Sequence, residues 1–366
     1  MTPAHRLFEP FKMGDMTLAN HMVMAPLTRS RADAQGVHGE LAATYYGQRA
    51  SAGLIIAEAT AVSKQGWGYV NIPGIWSEAQ VKGWQGVTKA VHDKGGKIFL
   101  QMFHMGRVGH SSLMDGQPVS STDIPPEGQA MAADFSMQPY ELPRALRTDE
   151  IPGIIDQFRT GAENAKKAGF DGVEVHGANG YLIDQFLRDG VNKRSDQYGG
   201  SIENRARLLL EIVAAVVDVW GPGRVGVRLS PYNAFNSMTD SDPVALFSYV
   251  ATQLNAFPLA YLHMMEPIGE HPFGADKSLP RVTDIVRDLY KGNLMANGGI
   301  TRDIGEAMLT EKKADLICFG VPFIANPDLV ERFRHNLPLT QPDKDGFYTG
   351  GAKGYIDYPF ATQKAA

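Results

Sequence analysis

The chain has 366 residues, with 35 lysines and arginines against 40 aspartates and glutamates, and a formal net charge of −5. That length can bury a large core, either as one α/β barrel or as two or three smaller domains, and the mild negative charge disfavours nucleic acid or an anionic membrane as main partners. The single cysteine, Cys318, excludes an intrachain disulfide framework and a thiolate metal cluster.

The opening "MTPAHRLFEPF" lacks the hydrophobic region of a signal peptide, so the expected compartment is the cytoplasm. The segment "FEPFKMGDMTLAN" reads as a hairpin closing a barrel floor. Short apolar runs then follow at "HMVMAPL", "GLIIAEA", "KIFLQMF", "DGVEVH", "RVGVRLS", "LAYLHMM", "NLMANG" and "ADLICFG". Each precedes a longer segment with helical spacing, such as "SEAQVKGWQGVTKAVHDKG" or "SIENRARLLLEIVAAVVDVWG". The most apolar stretch, "LLLEIVAAVVDVW", is broken by Glu211 and Asp218 and does not reach spanning length. A Pro-rich insertion from about Met105 to Arg147 separates the third strand from its helix. Eight strand-helix units predict an α/β fold of the (β/α)8 TIM-barrel type, with residues 1–366 forming one domain. No Gly-rich dinucleotide fingerprint follows the first strand, which counts against an open doubly wound sheet.

Barrel active sites gather at the C-terminal ends of the strands. The polar residues and small hinges at those ends are Thr28, Gln101, His104, His176, Asn179, Tyr181, Arg228, Asn297 and Gly320. In "EVHGANGYL", His176, Asn179 and Tyr181 share one glycine-punctuated bend, a cluster that needs hydrogen-bond partners it does not supply itself. Such donors suit a carbonyl or nitro oxygen, with the phenol placed to deliver a proton. A metal site built from His104, His176 and His263 is the competing use of these histidines.

Gln101 and Phe103 fall on one face of the third strand by period-two alternation. An inward glutamine needs partners for an acceptor and two donors, which a flat heterocycle with imide edges provides. Arg228 lies in an otherwise apolar strand, where a buried ion pair and a ligand contact are both open. The glycines of "ANGGI" and "FGVPFIANPDL" allow backbone N–H groups to approach an anion, as barrels often do after strands seven and eight. Asn326 and Pro327 read as an N-cap and a first helical residue. Cys318, inside "LICFG", reads as a small buried hydrophobe.

The motifs "MAPLTRSRA", "QMFHMGRVGHSS", "EVHGANGYLIDQFL", "RSDQYGGSIENRARLLLEIV" and "FIANPDLVERF" together closely resemble the old yellow enzymes, the FMN-dependent ene-reductases. The resemblance runs from the N-terminal hairpin to "FYTGGAKGYIDYP". It implies a barrel with FMN at its mouth, NADPH or NADH as reductant, and an activated alkene or nitro compound as substrate, in a monomer or homodimer. Carried across, Ala25, Pro26, Leu27 and Ala59 line the cofactor, and Thr28 bonds the flavin carbonyl near its reactive nitrogen. Threonine there, where one branch has cysteine, matches the classical branch. Gln101 holds the pyrimidine edge, and Arg228 stands near N1, where its charge favours the reduced flavin. Asn297, Gly298, Gly299, Gly320 and Val321 complete the cofactor set. His176 and Asn179 form the substrate clamp, with His176 also touching the cofactor, and Tyr181 is the proton donor. Tyr69, Phe103 and Tyr348 line the substrate side. Phe103 departs from the tryptophan usual in close relatives, and Val321 from an arginine. A flavin-deficient barrel that only binds ligand therefore stays open beside the metal-dependent hydrolase.

Overall fold

All eight apolar runs form strands, and the strands close into a parallel barrel in the computed structural model, which describes residues 5–268 and 279–361. In chain order they are Met22–Met24, Leu54–Ala61, Ile98–Phe103, Gly172–His176, Val225–Leu229, Tyr261–Met265, Leu294–Asn297 and Leu316–Phe319. Closure comes from the eighth strand pairing with the first, where Cys318 lies opposite Val23.

Period-two alternation divides each strand between two environments. Leu100, Met102, Val173, Val175, Val227 and Leu262 face the surrounding helices. The inward residues change character along the barrel axis. Near the floor they are Val23, Leu54, Ile56, Phe99, Tyr261 and Leu316, packed against Met13, Met16 and Leu18. Those methionines and that leucine belong to the expected hairpin, in which Phe11–Met13 pairs antiparallel with Met16–Leu18. Towards the mouth, the same inward face carries Gln101, Glu174, His176, Arg228 and His263, all buried. Burying an apolar side chain such as Phe99 contributes ~1.5–3 kcal/mol, whereas buried polar groups cost free energy unless paired. The floor therefore stabilises the barrel, and the mouth holds the groups that need partners.

Cys318 is among the floor residues. Burial pushes its thiol well above the usual range, so it is a packing group and not a nucleophile.

The helices start where the sequence places caps. Ser77 and Gln80 form a reciprocal capping box on Glu78–His92, and Ser201 caps Ile202–Trp220. A cap of this kind contributes ~1 kcal/mol. The insertion is not a bare loop. It holds the hairpin Gln129–Met131 with Met137–Pro139 and a short parallel pairing of Val119–Ser120 with Arg144–Ala145. Among the described residues, no helix is long and apolar enough to cross a membrane.

One expected cap is corrected. The eighth strand runs directly into the helix Val321–Ala325, and Asn326 closes that helix instead of opening the next. Its Nδ2 donates to the carbonyls of Pro322 and Thr340, and its Oδ1 accepts from the Thr340 N–H. The following helix, Leu329–Arg334, starts after Asp328. An asparagine satisfies a helix end from either side, so the local motif did not decide which.

Candidate active site at the barrel mouth

The bend after the fourth strand is held from below before it presents anything to a ligand. Asp184 accepts from the Gly180 N–H and pairs with Arg188 at 2.9 Å, both fully buried. Arg188 also donates to the carbonyls of Asn233 and Ser230. Gln185 donates to the Gly180 carbonyl at 2.7 Å and to that of Met105. The "YLIDQFLR" helix thus locks the bend to the neighbouring strand ends, so its donors need little reorganisation to meet a ligand.

On this platform His176 is buried, and its Nδ1 accepts the Ala178 N–H at 3.3 Å. That bond leaves the ring proton on Nε2, as a donor. Burial, with Arg228 and His263 nearby, holds the imidazole well below its usual range, so it is neutral near pH 7. Asn179 adopts φ 58°, a left-handed conformation that asparagine tolerates better than most residues. Its Oδ1 accepts from Asn233 Nδ2 at 2.7 Å, its N–H donates to Ser230 Oγ, and its carbonyl accepts from Asn236 Nδ2. The amide acceptor is therefore occupied, and the Nδ2 donor is left for a ligand.

Tyr181 meets His176 edge-on with ring centroids 5.0 Å apart, Phe103 at 5.2 Å and Tyr69 at 6.5 Å. Burial pushes its phenol up to about 12, opposed by the neighbouring Tyr69 hydroxyl. Trp67, Met105, Met114 and Tyr140 complete this apolar and aromatic side of the mouth. Tyr348, 66% exposed on the C-terminal segment, stands near enough to Tyr69 and Tyr181 to help raise both phenols. That segment is pinned by Arg29 and Arg31, which donate to the carbonyls of Gly346, Phe347 and Gly354.

The opposite side of the mouth is polar. His176, Arg228 and His263 lie in register on successive strands. Arg228 donates to Asn297 Oδ1 at 3.3 Å, while its buried Nε has no partner. No acid pairs with it among the described residues, which settles the choice left open by the sequence against a buried ion pair. The Asn297 side chain is fully used, since its Nδ2 donates to the Cys318 carbonyl. Gln101 donates from Nε2 to Glu174 Oε1 at 2.7 Å.

Ala25 and Leu27 border Gly320, with Pro26 and Thr28 on the same strand-one exit. A bulge between Ala57 and Thr60 turns Glu58 towards Tyr46 in the helix layer and leaves Ala59 beside Phe103 and Tyr181. Gly298 and Gly299 have φ of 119° and 69°, and a Cβ on Gly298 would come within 2.8 Å of Glu266. Only glycine fits there. The N–H groups of Gly299, Gly320 and Val321 have no partner among the described residues.

This donor set fits a flat flavin with a phosphate tail. It offers a buried guanidinium with no acid partner and a free Nε, an amide with a free acceptor, and exposed backbone N–H groups for an anion. The phosphate end lacks a guanidinium at position 321, where the valine is 49% exposed. Arg302 donates to Asn336, and Lys353 lies among Asp343, Asp345 and Asp357. The metal arrangement is not formed. His263 Nδ1 binds Glu174, and the Nδ1 atoms of His104 and His176 accept backbone N–H groups. No group of three or more possible metal ligands gathers among the described residues. The residues missed by sequence reading are Ser230, Asn233 and Asn236, which hold Asn179, and Tyr140 in the insertion. The asparagine-dense "SPYNAFNS" after strand five was the available signal.

Known proteins share this chain's sequence family and fold. A sequence model of the NADH:flavin oxidoreductase / NADH oxidase family matches residues 6–340. The chain is 46% identical to 12-oxophytodienoate reductase 1 of Oryza sativa subsp. japonica, over 97% of this chain and 93% of that protein. Among solved structures, the old yellow enzyme homologue of Zymomonas mobilis superposes with a TM-score of 0.94 at 45% identity, covering 96% of this chain and 99% of the other. Morphinone reductase superposes with a TM-score of 0.93 at 48% identity, covering 99% and 98%. With the family match spanning most of its length and a buried arginine that no acid neutralises at the barrel mouth, the chain belongs to the NADH:flavin oxidoreductase / NADH oxidase family and is an FMN-dependent, NAD(P)H-using oxidoreductase.

Proposed function

We propose that the barrel, its hairpin and its insertion work as one domain that reduces activated alkenes, including enones and nitroalkenes. The observation that carries this reading is a locked bend with two free donors beside a buried phenol. Bound FMN would supply the two-electron carrier between NAD(P)H and the alkene. Arg228 and Gln101 would hold its ring, and the N–H groups of Gly299, Gly320 and Val321 its phosphate. His176 Nε2 and Asn179 Nδ2 would bind the activating oxygen of the substrate, most strongly as negative charge builds there. One such donor contributes ~3 kcal/mol to the barrier reduction. Tyr181 would protonate the α-carbon, and Tyr69, Phe103 and Tyr140 would shape the space around the substrate. Phenylalanine at 103 leaves more room than tryptophan.

Purified protein is expected to turn yellow with FMN, to bleach under NADH or NADPH without oxygen, and to regain colour on adding cyclohexenone. A folded protein that stays colourless in excess FMN would remove this reading.

The exposure of Val321 carries a second expectation. A charge-assisted hydrogen bond is worth ~1.5–3 kcal/mol, so Val321→Arg should tighten FMN by roughly one to two powers of ten. Titrating both apo-proteins with FMN measures this. Equal dissociation constants would mean that backbone donors already suffice.

A further inference from the structure

Glu174 and His263 lie beneath the candidate flavin site and have no role in the assignments above. Both are fully buried, as is almost all of Gln101. Gln101 and Glu174 are direct partners across strands three and four. Glu174 Oε1 accepts from Gln101 Nε2 at 2.7 Å, and its Oε2 lies 2.9 Å from His263 Nδ1. Burial holds His263 below its usual range, although Glu174 opposes the shift. A neutral His263 bonded this way carries its proton on Nδ1 and donates it, which occupies the second carboxyl oxygen.

The consequence falls on Gln101. An amide can flip by exchanging its oxygen and nitrogen at almost no steric cost, so a lone glutamine presents either a donor or an acceptor. Here a flip would place the amide oxygen against Glu174 Oε1 and lose a buried bond. The opposite edge is thereby kept as an acceptor, and no described residue donates to Gln101 Oε1. We infer that Glu174, held by His263, is a positioning residue that fixes the Gln101 amide so that the site accepts an imide N–H from its ligand.

This rests on the FMN reading and adds a requirement to it. The imide N3–H of a bound flavin would meet a fixed carbonyl, which favours the protonated imide over its anion. With glutamine at 174, the neighbour both donates and accepts. Gln101 then turns freely and can donate to the imide anion.

The test is an alkaline titration of bound FMN, followed by its visible spectrum, in wild type and Glu174→Gln. The N3–H of wild-type-bound FMN should ionise at least one pH unit higher than in the variant, a tenfold change in that equilibrium. Burial of the flavin acts on both proteins alike, but Glu174→Gln also removes a nearby negative charge, so the variants at His263 read the orientation effect alone. His263→Leu, which keeps the carboxyl but removes its anchor, should shift the ionisation in the same direction. His263→Gln, which still donates to Glu174, should restore it. These two variants keep the question answerable if Glu174→Gln does not fold. The same ionisation in wild type and His263→Leu would overturn the inference, whatever Glu174→Gln shows, while leaving FMN binding intact. Failure of the wild type to take up FMN would overturn both.

Discussion

Replacing Tyr181 with phenylalanine is expected to slow reduction of cyclohexenone-type substrates by ~10²–10⁴-fold, the usual loss when a positioned general acid is removed. Reduction of the flavin by NAD(P)H should be nearly unchanged, because that half-reaction needs no proton on the alkene. The ring of Tyr181 packs edge-on against both His176 and Phe103, and phenylalanine keeps those contacts. Loss of the hydroxyl alone is therefore what the comparison reads. The pH dependence gives a second check. With its phenol pushed up to about 12, Tyr181 stays protonated through the neutral and mildly alkaline range, so alkene reduction should not decline between about pH 7 and pH 10 through this group. Stopped-flow measurement of the two half-reactions decides the matter. Equal slowing of both would refute the assignment.

The second large effect is expected at the clamp. Removing one preorganised donor costs ~10²–10³-fold where charge develops on the bound oxygen. His176→Ala should lose that much in alkene reduction and should weaken phenols, which mimic the clamped oxygen, while FMN is retained. Asn179 calls for a different substitution, because its φ of 58° would strain an apolar side chain. Asn179→Asp keeps the acceptor for Asn233 and tolerates the left-handed backbone, yet removes the donor. It should weaken phenol binding to a similar degree. Because His176 is held well below its usual range, its Nε2 donor is neutral already at pH 6.5, and imidazole protonation should leave phenol binding flat from pH 8 to 6.5. Difference spectra of the bound flavin report both effects. A variant that lost FMN and still bound phenols normally would show that the bend serves the cofactor and not the substrate.

The sequence by itself determined the barrel, because the alternation of short apolar runs with capped helical segments is a local signal repeated eight times. It also determined the family motifs and the convergence of Gln101, His176, Tyr181 and Arg228, since barrel topology sends every strand end to one rim. The partner of each polar group was left to the tertiary structure. Whether Arg228 faced an acid or stood without one depended on the register of strands four, five and six, which no single segment encodes. Asn326 could cap either of two helices, and contact with Thr340, fourteen residues away, decided it. Asn179 became a donor only because Asn233 of another loop occupies its oxygen. Hydrogen-bond polarity is settled between segments distant in sequence, so the chain displayed which residues reach the mouth, and packing decided what each one has left to offer.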